Sequence, residues 1–294
     1  MKKFLFIILI SFIFSQSITD YAYTGFEGTS LCGAVVANKG GSWSLYHNPA
    51  GLSEIKNVEF TFSFSKLYNQ VFLPYNNADI ILPIEGIGNF GISIQEMSVS
   101  YNGNDLSSEK SLGISQGFFL LKDMHSTLSL GYTIQFMNWN LGKSAGFSGD
   151  GSDGINLGSE NLVGLDIGFQ ASLREKYRVG VFIKNFNQPQ VGEGLSEQPL
   201  SRRLSIGTSY YPINGVMTAL VLERLLGGSV QIKYGMKYQL SNILSVNIGA
   251  QSNPNRLGAG MSIKNSKINF NYSILTHHVL PVTHQISIGY IIDR

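Results

Sequence analysis

Charge is scarce in this chain of 294 residues: Asp, Glu, Lys and Arg make up 14% of it, against about 25% in soluble domains. A surface with so little charge is poorly solvated by water. What charge there is has no net sign. Lys2 and Lys3 are two of the 21 basic residues and residues 1–17 hold no acidic one, so 19 basic residues remain against 19 acidic ones. That excludes the basic footprint that nucleic-acid binding requires. Cys32 is the lone cysteine, which excludes an intramolecular disulfide; it reads as a small buried residue rather than a reactive or lipid-bearing one. Beyond the N-terminus no apolar run approaches the ~20 residues of a membrane helix. If the chain crosses a bilayer, it must cross by strands.

Motifs of chemistry are also missing. No Gly-x-Ser-x-Gly elbow or other specific nucleophile motif accompanies a histidine, and Gly40-Gly41 lacks the spacing of a phosphate-binding loop. The histidines His277, His278 and His284 flank one loop without metal-ligand spacing, and His47 and His125 stand apart from them. Asp150-Gly151-Ser152-Asp153-Gly154 begins like a calcium loop, but Asn161 stands at position twelve, where a bidentate Glu is needed. The expectation is a non-enzymatic protein with no cofactor, no catalytic residue and no metal site.

What is present is an export signal followed by a train of alternating strands. Lys2 and Lys3 precede the apolar run Phe4–Ile10 and Phe12–Phe14, then Ser15-Gln16-Ser17 offers a cleavage site, so residues 1–17 read as a secretory signal peptide. From Val58 onward, period-two runs alternate with turns rich in Gly, Asn, Ser and Asp. Val58, Phe60, Phe62 and Phe64 alternate with Glu59, Thr61, Ser63 and Ser65; Leu130, Tyr132 and Ile134 alternate with Thr133 and Gln135. The apolar set is predicted to face lipid. The polar set is predicted to face the lumen and to tolerate charge better than the apolar set.

The runs number about 14, an even count suited to a closed antiparallel transmembrane barrel. Those at 76–83 and 216–224 are irregular, and without them the count is about 12. Connection lengths support the larger number. Every second connection is short (85–88, 173–176, 212–215, 241–242, 264–266), and the alternate set holds the long ones at 140–161, 187–201, 102–108 and 276–283. Short periplasmic turns and long external loops are the usual asymmetry of such barrels. A soluble β-sandwich or propeller also alternates, but the low charge and the lack of disulfides in an exported chain speak against it.

Between signal and barrel lies Leu31-Cys32-Gly33-Ala34-Val35-Val36-Ala37-Asn38, then Trp43-Ser44-Leu45-Tyr46-His47 and the unit Asn48-Pro49-Ala50-Gly51-Leu52. Pro49 fixes its own φ and biases Asn48 toward extended geometry, and Gly51 offers a permissive dihedral, so the unit predicts a rigid turn. These residues resemble the N-terminal signature of the PorV/PorQ family of outer-membrane barrels, which are related to the FadL fatty-acid channels. The resemblance implies an outer-membrane barrel at residues 58–294, preceded by a plug or hatch segment at 18–57 that carries the Asn48–Leu52 motif. It implies a role accessory to type IX protein secretion and surface attachment, with secretion components or exported cargo as partners beside outer-membrane lipid and lipopolysaccharide. The alternative is a FadL-like transporter of long-chain fatty acids or other hydrophobic small molecules, in which the N-terminal segment is a hatch and the ligand passes through the barrel wall. An apolar pocket beside the Asn-Pro turn would favour transport, and a plugged lumen with a broad external rim would favour partner binding.

Overall fold

The computed structural model describes residues 21–101, 104–144, 146–149, 152–192 and 197–293; the signal expected at 1–17 lies outside them. The alternating runs form fourteen antiparallel strands closed into one barrel. They are β1 (Val58–Lys66), β2 (Pro74–Ile84), β3 (Gly88–Tyr101), β4 (Asn104–Lys122), β5 (Ser126–Asn140), β6 (Ser159–Leu173), β7 (Tyr177–Lys184), β10 (Arg203–Tyr210), β11 (Val216–Leu225), β12 (Val230–Gln239), β13 (Leu244–Gln251), β14 (Arg256–Asn265), β15 (Ile268–Leu275) and β16 (Thr283–Ile292). A two-stranded hairpin, β8 (Gln190–Val191) and β9 (Gln198–Pro199), lies in the connection from β7 to β10. Pairing of β1 with both β2 and β16 leaves no open edge in the ring, as the backbone polar groups of a chain in hydrocarbon require.

The period-two pattern sets the faces as expected. Tyr132 and Ile248 point outward, whereas Thr133, Gln135 and Asn247 point inward and are buried. With its apolar belt turned outward around a closed ring, the chain is an outer-membrane barrel. On β3–β6 the outer rim of that belt is sharp. Ile94, Leu112, Phe136 and Val163 face outward in one register row, and the next row is Glu96, Lys110, Asn138 and Asn161. Lys110 pairs with Glu96 at 3.3 Å and Asn138 bonds Asn161 at 2.8 Å. Arg in place of Ile248 is expected to cost about 2–4 kcal/mol if the site lies near the midplane, read as a lowered unfolding midpoint in lipid vesicles.

One expectation needs correction. The stretch 102–108 is not a long loop: from Asn104 it belongs to β4, which pairs with β3 across a bulge at Val99/Ser100. Above the belt both faces of that hairpin lose their apolar alternation, so the pattern there no longer reports a strand. The lumen that the polar set faces is itself occupied. Residues 21–57 fill it, and Asn247, for example, is fully buried and donates to Ser30 Oγ at 3.0 Å. Charge on the inner face is therefore expected to displace this segment while leaving the lipid face unharmed.

Candidate functional site: the segment inside the barrel

The internal segment starts near the long-loop end. Tyr21 and Tyr23 pack edge-on to each other, and Tyr21 does the same to Tyr75, in a cluster with Leu67, Tyr68, Met97 and Leu275. Tyr23 OH donates to Gln251 at 2.7 Å, and the Thr24 and Tyr75 hydroxyls lie 2.8 Å apart. Helix α1 (Gly25–Ser30) follows, against β13–β16. Leu31–Ala37 then turns across the lumen, where Val35, Val36 and Trp43 pack on Phe182, Met217, Ala219 and Val221. Helix α2 (Ser44–His47) leads into a 3-10 helix at Pro49–Glu54, and the chain leaves into β1.

The predicted motif lies at the centre of this packing. Asn48 is extended and wholly buried. Its Oδ1 accepts from Ala50 N at 3.2 Å, while Nδ2 donates to Val36 O at 2.7 Å and to Phe169 O of β6 at 3.1 Å. One side chain thus ties the turn, the preceding pass of the segment and the barrel wall together. Pro49 begins the 3-10 helix, Ala50 is buried within it, and Leu52 joins Leu45, Tyr46, Ile55 and Ile81. Asn89 of β3 donates to Leu52 O and Ile55 O, each at 2.6 Å. Gly51 differs from expectation: its φ is not positive, and it must be glycine because a Cβ would press on Ser44 Oγ and the Trp43 ring.

The sequence reading missed the surface that receives this segment. Gly117, Gly131 and Gly168 lie side by side on the inner faces of β4, β5 and β6. The Pro49 carbonyl group rests on the first two, and Asn48 with the Pro49 ring on the third, so closely that no Cβ fits. A second arc, Gly235, Gly249 and Gly258 on β12–β14, receives Thr29–Cys32. Between the arcs, Gly180 and Gly207 receive Val36. These glycines occupy inward positions of alternating runs, mostly between two apolar outward residues, as in Leu130-Gly131-Tyr132 and Ile167-Gly168-Phe169. That placement was the available signal for a backbone lying against the wall.

Charge fixes the segment further. Arg178 of β7 pairs with Glu54, and Tyr46 OH donates to Asp79 of β2. Lys233 of β12, with no exposed surface, meets Glu223 of β11 at 2.6 Å, and Ser205 Oγ donates to the same carboxylate at 2.9 Å. Lys233 and Arg256 both lie over the Tyr23 ring, at 5.5 and 4.9 Å. Cys32 is buried as expected, and desolvation pushes its thiol up to about 12.

His47 Nε2 lies 2.9 Å from Thr24 O, and burial lowers its pKa from 6.5 to about 3. The neutral ring is the folded form, donating to that carbonyl. The unfolded chain binds this proton near 6.5 and the folded chain does not. The stability due to His47 is therefore full above about pH 6.5 and is lost progressively as pH falls toward 3. Lowering the pH from 7 to 4 is expected to reduce the unfolding midpoint more for wild type than for His47→Gln, measured by gel mobility in lipid vesicles.

At the Asn-Pro turn the packing is close, with Asn48, Pro49 and Ala50 buried against Gly117, Gly131 and Gly168. Open crevices lie at the short-turn end instead. One of about 740 Å³ borders Trp43, Tyr211 and Lys237, and another of about 880 Å³ borders Glu54, Phe118 and Arg178. Among the described residues no group of three or more His, Cys, Asp or Glu is placed to hold a metal. The His277 and His278 rings lie 4.3 Å apart, tilted by 32°, while His284 bonds Tyr272 at 2.7 Å. Asp153 binds Phe147 N and Ser148 within its own loop; Asp150 and Gly151 lie outside the described residues.

No protein-family model matches the chain, and no curated protein matches it either. Its fold is similar to those of several solved channels. The toluene transporter TodX of Pseudomonas putida matches with a TM-score of 0.60 at 11% identity, over 90% of this chain and 99% of that one. The toluene transporter TbuX of Ralstonia pickettii gives 0.59 at 12% identity, over 90% and 98%. A FadL homologue of Pseudomonas aeruginosa gives 0.59 at 8% identity, over 92% and 98%. At such identities the likeness is one of fold. It lies on the FadL side of the relationship read from Leu31–Leu52 and lends no support to the PorV/PorQ assignment.

Proposed function

We propose that this barrel is a channel for hydrophobic small molecules in the outer membrane, reached after cleavage of the signal at residues 1–17, with residues 18–57 as its hatch. The observation that carries this reading is the fold likeness to hydrocarbon channels over at least 90% of both partners. The lumen constrains how such a channel works. Its centre is filled by backbone packed on glycine and by buried ion pairs, a poor path for an apolar solute. Passage through the wall, avoiding that centre, fits the filling better than a straight pore. The rigid Asn48–Leu52 unit, tied to β6 through Asn48, holds the hatch in register.

Accessory work in protein secretion is the second reading, and two features favour it: residues 21–57 plug the lumen, and Val71, Phe147, Ile155 and Val279 stand exposed on long-end loops, a rim suited to a partner. Deleting the gene in the native host and measuring radiolabelled toluene and oleate uptake beside surface-anchored protein in the same cells separates the two. Loss of uptake with surface protein intact is expected. Intact uptake with lost surface protein would replace transport by secretion.

A further inference from the structure

The outer rim of the belt changes character around the barrel. On β3–β6 its charge is cancelled in place, because Lys110 is paired with Glu96. On β10 and β11 it is not. Arg224 is exposed on the outer face of β11, in one register row with Leu204 of β10 and Val230 of β12. The ladder runs one step further, with Leu226 N donating to Arg202 O at 2.8 Å, so Arg202 stands opposite Leu226 and diagonal to Arg224 on the same face. Diagonal neighbours on a sheet face are about 7–8 Å apart, within reach of two long side chains that share one ligand.

Nothing in the wall neutralises this pair. Among the described residues neither arginine pairs with a carboxylate, and the outward positions of β7, β10, β11 and β12 carry no acidic residue. Arg202 is also held in place: its guanidinium lies 5.8 Å from the centre of the Phe186 ring, and Nη2 donates to Phe186 O at 2.8 Å. The surface beneath is oily. Leu204, Ile206, Leu220, Leu222, Val230 and Ile232 all stand exposed on the outer face. Two guanidinium forks at the edge of such a wall suit a lipid whose head is a phosphate, since the planar fork matches phosphate oxygens and the wall accepts acyl chains. This is the end of the long connections, and it therefore lies in the external leaflet. The phosphate-bearing lipid of that leaflet is lipid A, the anchor of lipopolysaccharide.

We propose that Arg202 and Arg224 form a site for one phosphate of lipid A, whose acyl chains lie along β10–β12. Elsewhere in the leaflet, divalent cations bridge the phosphates of neighbouring lipids. A phosphate clasped by two guanidinium groups has its charge neutralised by the protein instead. One lipid A molecule therefore stays with the barrel after chelation has dispersed the others, whatever solute or partner the barrel serves.

Native mass spectrometry of the purified barrel in detergent, with EDTA present, counts the bound lipid. Diphosphoryl lipid A is expected to bind as a single molecule, and dephosphorylated lipid A and phosphatidylethanolamine at least about tenfold more weakly, the scale of lost charge-assisted hydrogen bonds. Arg202→Gln/Arg224→Gln is expected to abolish that preference, and Glu96→Gln/Lys110→Gln, at the neutral rim, to keep it; heat-modifiable gel mobility verifies the fold of both. Inorganic phosphate in excess is expected to leave the lipid in place. Displacement by inorganic phosphate would reduce the pair to an ion site and overturn the assignment. So would a wild type that binds all three lipids alike, a comparison that needs no variant to fold, or an arginine double variant that keeps the wild-type preference.

Discussion

Glu223→Ala is expected to destabilise the barrel by about 3–5 kcal/mol, because it leaves a fully buried ammonium without its counter-charge. Lys233 has no exposed surface and reaches Glu223 at 2.6 Å. Its environment is fixed from the other side by the Tyr23 ring and by Gly33, where a Cβ would lie 2.9 Å from Nζ. Replacing both partners with apolar residues, Glu223→Leu with Lys233→Met, removes the buried charge along with the pair, so the double variant is expected to be markedly more stable than Glu223→Ala alone. Urea unfolding in lipid vesicles, followed by gel mobility, measures both. A single variant within about 1 kcal/mol of wild type would put the pair in the range of solvated surface ion pairs and contradict a dry contact.

Gly131→Val is expected to unseat the internal segment while the strands stay closed. Its Cβ would fall on the Pro49 carbonyl group and Ala50 N, which are backbone atoms rather than the end of a flexible side chain. Relief requires moving the turn as a unit, so the cost is expected to exceed the about 1–3 kcal/mol of ordinary overpacking. Gly249→Val meets Leu31 and Cys32 in the same way. Cys32 is a built-in reporter: buried, its thiol is held near 12 and stays protonated at neutral pH, and once exposed it returns toward about 8.5 and reacts. Maleimide labelling at neutral pH is expected to be negligible in wild type and in Gly289→Ala, where the new Cβ finds only ordinary contacts beyond 3.5 Å, and extensive in the two valine variants. Heat-modifiable mobility should persist in all four. Equal protection of Cys32 throughout would mean that the glycine arcs do not bear the segment.

The barrel was legible in the sequence because lipid outside and polar side chains inside impose a period of two that needs no knowledge of partners. The irregular runs at 76–83 and 216–224 are strands β2 and β11 all the same, and their irregularity has a cause. On β11 the inward residues Met217, Ala219 and Val221 are apolar because they pack on Val35, Val36 and Trp43 of the internal segment, so both faces of the strand read as apolar. The same unseen segment explains what was missed. Inward glycines read as neutral interruptions until a backbone lies on them, and Glu223, Lys233 and Arg178 read as lumen charges until their burial is known. At the motif, local chemistry gave the rigidity of Asn48-Pro49. It could not give the bond from Asn48 to Phe169, whose partners lie 121 residues apart and meet only when the barrel closes.

The most direct measurement of the central claim is the initial rate at which cells with intact lipopolysaccharide take up a radiolabelled monoaromatic hydrocarbon, in a host stripped of its own hydrophobic-compound channels and carrying this barrel or an empty vector. The account predicts uptake that scales with the amount of inserted barrel and is insensitive to polar solutes of similar size. Uptake equal to the vector control at full insertion, or a rate that polar solutes share, would contradict it.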